Sequence, residues 1–123
     1  MADNAPSGND APVDLNWLRE CTDNDADAMK TLLDLYFSRT ATQLVELDKA
    51  IATGSASDVR RLAHACSGSS GTCGMVTLAP LFKSLEKMGA DATLDGAAAI
   101  AAQAHQEFAR AGAFVSGMRK GEN

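Results

Sequence analysis

Between Asp25 and Thr53 the large apolar residues fall at Met29, Leu32, Leu33, Tyr36, Phe37, Leu44, Leu47 and Ile51, in steps of three and four that put them on one side of a helix. A helix carrying a single apolar stripe gains most of its stability by burying that stripe, so other elements must cover it. The rest of the chain supplies helices and no strand. Val59, Leu62, Cys66 and Cys73 continue the same spacing, Leu78, Leu81, Phe82, Leu85 and Met88 form a third stripe, and Ala97, Ala101, Ala104, Phe108, Ala111, Val115 and Met118 a fourth. Aromatic residues make up only 5% of the chain, which argues against a β-sandwich or barrel. The spacing predicts an all-α protein: an antiparallel up-down four-helix bundle, because short links favour antiparallel neighbours. A short additional N-terminal helix over residues 13–21 is expected to lie across the bundle end, with Trp17 as its anchor.

Punctuation residues set the expected boundaries. Gly54 suits the left-handed conformation just past a helix, and Ser55 with Asp58 three positions later reads as a capping box for the next one. Gly74 is expected to end that helix. Thr77 is expected to cap a third, whose first turn tolerates Pro80 because an N–H there has no internal partner anyway. The third helix is expected to stop at Gly89. Residues 1–12, rich in Pro, Gly, Ser, Asp and Asn, cannot offset the entropy of ordering and read as a mobile tail, leaving residues 13–120 as one bundle domain.

A chain of 123 residues, 46% of them hydrophobic, has material for one core. Its net charge of −5 argues against a nucleic-acid partner or a basic membrane-surface helix. The longest apolar run, Ala97 to Ala102, falls far short of the roughly 20 residues that span a bilayer, so no membrane insertion is expected. The N-terminus has neither the basic start nor the apolar run of a secretory signal, which makes a cytoplasmic location the expectation. Cys21, Cys66 and Cys73 lack disulfide or zinc spacing and read as reduced thiols. No metal site and no cofactor of the chain's own are expected, and few exposed apolar residues suggest a monomer.

One residue stands out chemically. His64 is two positions from both Leu62 and Cys66, and at about 100° per residue it points away from both, hence to solvent. Arg60 and Arg61 precede it by one turn, and Ser67, Gly68 and Gly71 follow it on the same side. Each helical glycine costs about 0.8–1 kcal/mol relative to alanine. Removing Cβ atoms beside an imidazole clears an approach for another protein's backbone. The alternative is a solvated histidine beside small residues that admit a neighbouring helix. His105, on the polar side of the fourth stripe, reads as an ordinary surface residue.

The segment His64-Ala65-Cys66-Ser67-Gly68-Ser69-Ser70-Gly71-Thr72-Cys73-Gly74 resembles the signature of histidine-containing phosphotransfer (HPt) domains, H-x-(apolar)-K-G-(S/A)-(S/A)-x-x-(apolar)-G, at every fixed position but one. Leu78, Leu81, Leu85 and Glu86 resemble the helix that follows the signature. The resemblance implies that His64 accepts a phosphoryl group from an aspartyl phosphate on a response-regulator receiver domain and passes it on without ATP. The partners it implies are receiver domains and a hybrid sensor kinase, with Mg2+ on the receiver. Glu86 falls where the family's next helix offers a polar side chain to the imidazole, and Gly68, Gly71 and Arg61 fall on the docking ridge. Ser67 replaces the usual lysine, exchanging a positive charge for a neutral hydrogen bond about half as strong. Arg60 is the first substitute for that charge, with Lys83 and Lys87 behind it. The missing lysine also admits another reading, a docking module that regulates a receiver or an enzyme without accepting phosphate.

Overall fold

Asp25 opens the longest helix, where its carboxylate accepts a hydrogen bond from the Ala28 N–H at 3.1 Å and satisfies one of the free donors of the first turn. In the computed structural model the helices are α1 (Leu15–Cys21), α2 (Ala26–Ala52), α3 (Ala56–Thr72), α4 (Ala79–Ala90) and α5 (Ala97–Gly121). The structure describes residues 11–121, with side chains as far as Met118. No strand occurs among the described residues, and the fold is all-α as the periodicity predicts. The expected tail over residues 1–12 lies, through residue 10, outside the described residues; at its inner end the Pro12 carbonyl accepts the Val76 N–H at 3.2 Å.

The four stripes meet in one core. Leu33, Tyr36, Leu44 and Leu47 of α2 are buried against Val59, Leu62, Ala63 and Cys66 of α3, Phe82 and Leu85 of α4, and Ala97, Ala104, Ala111 and Val115 of α5. Each fully buried Leu or Phe contributes about 1.5–3 kcal/mol from apolar surface removed from water. Helix α2 borders α3 and α5, α4 borders both of those in turn, and the tightest seam joins α3 to α4. Paired contacts fix the directions: Tyr36 with Ser70 and Gln43 with Cys66 make α2 and α3 antiparallel.

Gly89 explains the tight seam. The helix does end one residue past it, at Ala90, but Gly89 itself is buried in the last turn of α4, where a Cβ would come within 2.5 Å of the Arg60 backbone N. Glycine at this position lets two backbones touch. The chain then turns at Ala90–Ala92, where Ala92, not a glycine, takes the positive φ, +56°.

Two other local expectations are corrected and one is refined. Ser55 is the N-cap of α3, yet its hydroxyl donates to the Asp58 carboxylate at 2.9 Å and leaves no side-chain cap on the backbone. That bond, followed by one from Arg61, holds the Asp58 carboxyl below its ordinary range. Thr77 does not cap α4: Leu78 is the N-cap residue, the turn before it is closed by the Ala79 N–H to the Met75 carbonyl, and the Thr77 hydroxyl is buried without a partner. Finally, Trp17 does anchor α1, but at 44% exposure and through its indole N–H, while Val13 and Leu18 supply the buried apolar contacts. A helix of seven residues has too few turns to define its buried side from spacing alone.

Helix α1 is nevertheless held firmly to the α3–α4 connection. The Asp14 N–H donates to the Gly74 carbonyl at 2.8 Å, and the Trp17 indole N–H donates to the Thr72 carbonyl at 2.8 Å. Gly74 itself needs a φ of +71°, and a Cβ on it would meet the Asp14 carbonyl at 3.1 Å. No helix among the described residues is long and apolar enough to cross a membrane.

Candidate functional site

Helix α3 buries Leu62 and Cys66 and thereby turns His64 outward, leaving its side chain 77% exposed. The ring is nonetheless positioned: its Nδ1 lies 2.8 Å from Oε2 of Glu86 on α4. The antiparallel α3–α4 seam makes this possible by setting Arg60 against Gly89 and, one turn on, His64 against Glu86. An Nδ1–H donated to the carboxylate fixes the tautomer and leaves the lone pair on Nε2, directed at solvent.

Gly68 and Gly71 lie on the same ridge, and a Cβ built on either would meet nothing within 4 Å. No neighbouring helix uses the space they leave. That excludes the reading in which these glycines admit a packed helix of the same chain, and it keeps the side of the imidazole open.

The recess beside His64 is lined by Trp17, Ser67, Gly68, Gly71, Thr72, Lys83 and Glu86. Its other flank holds Ser57, Asp58, Arg60 and Arg61. The structure therefore brings Arg60, Arg61, Ser67, Gly68, Gly71, Lys83 and Glu86 together around His64, whereas Lys87 lines neither side. Arg61, however, is engaged by Asp58 at 3.3 Å, and Lys87 is tied to Asp91 at 3.0 Å. Ser67 is only 8% exposed, sunk into the α3–α4 seam rather than projecting as a long side chain would.

Trp17, expected only as the anchor of the N-terminal helix, is also a wall of the site. No local signal could have shown this, because it depends on α1 folding back onto the end of α3. Lys83 carried more signal: it lies three residues before Glu86, hence on the same side of α4.

The remaining reactive groups lie elsewhere. Cys66 and Cys73 are buried, and burial pushes their thiols up to about 12 and about 11 respectively; Cys21 is exposed. His105 pairs with Asp48 at 2.8 Å, joining α5 to α2. No group of three His, Cys, Asp or Glu that could hold a metal ion occurs among the described residues.

Comparison with known proteins agrees with this fold. The Hpt-domain family model matches residues 31–114, and no curated protein sequence matches the chain. The crystal structure of histidine-containing phosphotransfer protein B (HptB) from Pseudomonas aeruginosa PAO1 superposes with a TM-score of 0.80 at 28% identity, covering 89% of this chain and 96% of that one. The chain belongs to the Hpt-domain family. It is a histidine phosphotransfer protein of phosphorelays, and receiver domains and kinases are the partner class of such domains.

Proposed function

We propose that His64 is the phosphoacceptor and that the ridge around it is the docking surface for receiver domains. The observation that carries this reading is the His64–Glu86 contact, an outward-facing imidazole held at Nδ1 beside two glycines with open space above them.

The step needs little from the bundle. The Nε2 lone pair attacks the phosphorus of the receiver's aspartyl phosphate, the P–O bond to the aspartate breaks, and the carboxylate leaves with the bonding pair. The Nδ1 proton stays in place, so the phosphorylated ring is a cation, and the Glu86 carboxylate balances its charge. Return of the phosphoryl group to a second receiver is the reverse displacement. A neutral imidazole is an adequate nucleophile near neutral pH, and phosphoryl transfer depends mainly on alignment and charge stabilisation. The receiver supplies the aspartate and the magnesium, whose role is to neutralise developing charge on the phosphoryl oxygens.

Gly68, Gly71 and the exposed Trp17 form the contact, with Arg60 and Arg61 at its flank. A relay partner must leave as readily as it arrives, which fits a small interface below about 1,200 Å² and a protein working as a monomer. The partners are receiver domains, among them that of a hybrid sensor kinase. The docking-only alternative is disfavoured, since a module that never accepts phosphate has no use for an oriented imidazole. The test is a chase experiment. Label on a donor receiver should appear on the chain and then on a second receiver, and label that never leaves the donor refutes the relay.

A further inference from the structure

We propose that Lys83 of α4 supplies the positive charge for the phosphoryl group on His64, in place of the lysine that Ser67 replaces. The inference rests on the reading of His64 above and deepens it.

Register gives the first argument. Arg60 faces Gly89 and His64 faces Glu86 across an antiparallel seam. Three residues onward in α3 and three back in α4, the same register sets Ser67 opposite Lys83. Both line the recess that also holds His64, Gly68 and Gly71. The charge absent from α3 is therefore available at the same level from α4.

Elimination gives the second. Arg61 is bound to Asp58 and Lys87 to Asp91. Arg60 has no ion pair with any described residue either, but it lines the other flank of His64 and not the recess that holds Ser67, Gly68 and Gly71. Lys83 makes no ion pair with any described residue, and its i+3 neighbour Glu86 is engaged by the imidazole. An ammonium on a flexible four-carbon stem can follow a phosphoryl group as it arrives and departs. Ser67, small and sunk in the seam, leaves that stem room.

Phosphoramidate tests this without a receiver. Nε2 forms the new bond to phosphorus, the donor P–N bond breaks, and ammonia leaves. The full-length chain and its His64→Gln, Lys83→Gln, Lys83→Arg, Arg60→Gln and Lys83→Gln/Ser67→Lys variants are compared by 31P NMR, with circular dichroism reporting the fold. Lys83→Gln should acquire phosphate about tenfold more slowly, the scale of one charge-assisted contact, and its rate should lose most of its dependence on salt between about 50 and about 500 mM. Lys83→Arg and the double variant should recover at least half the wild-type rate, and Arg60→Gln should stay within about twofold of it. The proposal is overturned if Lys83→Gln matches the wild type in rate and salt dependence, if Arg60→Gln bears the loss, or if neither Lys83→Arg nor the double variant recovers rate. A wild type that takes no label, or a His64→Gln variant that takes as much, overturns instead the assignment of His64.

Discussion

Glu86 Oε2 lies 2.8 Å from Nδ1 of His64, and this contact across two helices converts a surface histidine into an oriented one. Glu86 is more enclosed than its partner, with 29% of its side chain exposed against 77% for the ring. The carboxylate is the fixed element and the imidazole its dependant.

Removing the carboxylate should therefore disorder the ring without disturbing the core. Glu86→Ala should lower the phosphotransfer rate by about tenfold, and Glu86→Gln, which still accepts from Nδ1–H, by less. NMR of the His64 ring nitrogens checks the cause: the wild type should show protonated Nδ1 and bare Nε2, and Glu86→Ala a mixture of tautomers. Unchanged rates in both variants would show that the contact has no part in transfer.

Gly68 and Gly71 separate stability from function. With nothing within 4 Å of either virtual Cβ, Gly68→Ala should stabilise the chain by roughly 0.5–1 kcal/mol through helix propensity alone. Gly68→Gln should fold equally well but slow transfer from a receiver by on the order of a hundredfold, the scale on which about 1 Å of misplacement acts. Urea denaturation and transfer assays on the same samples would reveal this opposition, and a Gly68→Gln variant that transfers at the wild-type rate would refute the access argument.

Gly89 should behave in the opposite way. A methyl group there meets the Arg60 backbone N at 2.5 Å, so Gly89→Ala forces the α3–α4 seam apart. The expected cost is about 1–3 kcal/mol, seen as a fall in Tm of roughly 5–15 °C. The same seam sets the His64–Glu86 distance, so transfer should fall as well. An unchanged Tm by differential scanning calorimetry would contradict the packing.

The buried thiols and phenol predict how stability depends on pH. Burial raises Cys66 from 9.0 to about 12, Cys73 from 9.0 to about 11 and Tyr36 from 10.0 to about 12. These folded values lie above the unfolded ones, so the stability they contribute is complete below about pH 9 and is lost as pH rises toward 12. Urea midpoints should be flat from neutrality to about pH 9 and fall thereafter. In the native state at neutral pH a thiol reagent should label Cys21 alone, and rapid labelling of Cys66 or Cys73 would contradict their burial.

Much of this was legible in the sequence because the stripes are regular: residues from Met29 to Ile51 and from Ala97 to Met118 lie on the buried or half-buried sides that their spacing assigns. His64 was legible for the same reason, being out of phase with two apolar neighbours. What spacing could not give was tertiary in origin. Gly89 marks the end of α4, but its packing role shows only when α3 is placed against it, and Trp17 reads as a helix anchor until α1 is seen to rest on Thr72 beside His64. Thr77 and Ser55 have the side chains of N-caps, but the turn geometry of one and the carboxylate beside the other redirect both hydroxyls.

The most direct test of the central claim is phosphotransfer from Asp-phosphorylated receiver domains with magnesium, comparing the wild-type chain with His64→Gln. The account predicts an acid-labile, base-stable label on the wild type and none on the variant. Label of equal amount on both chains, or on neither while receivers still bind, would contradict it.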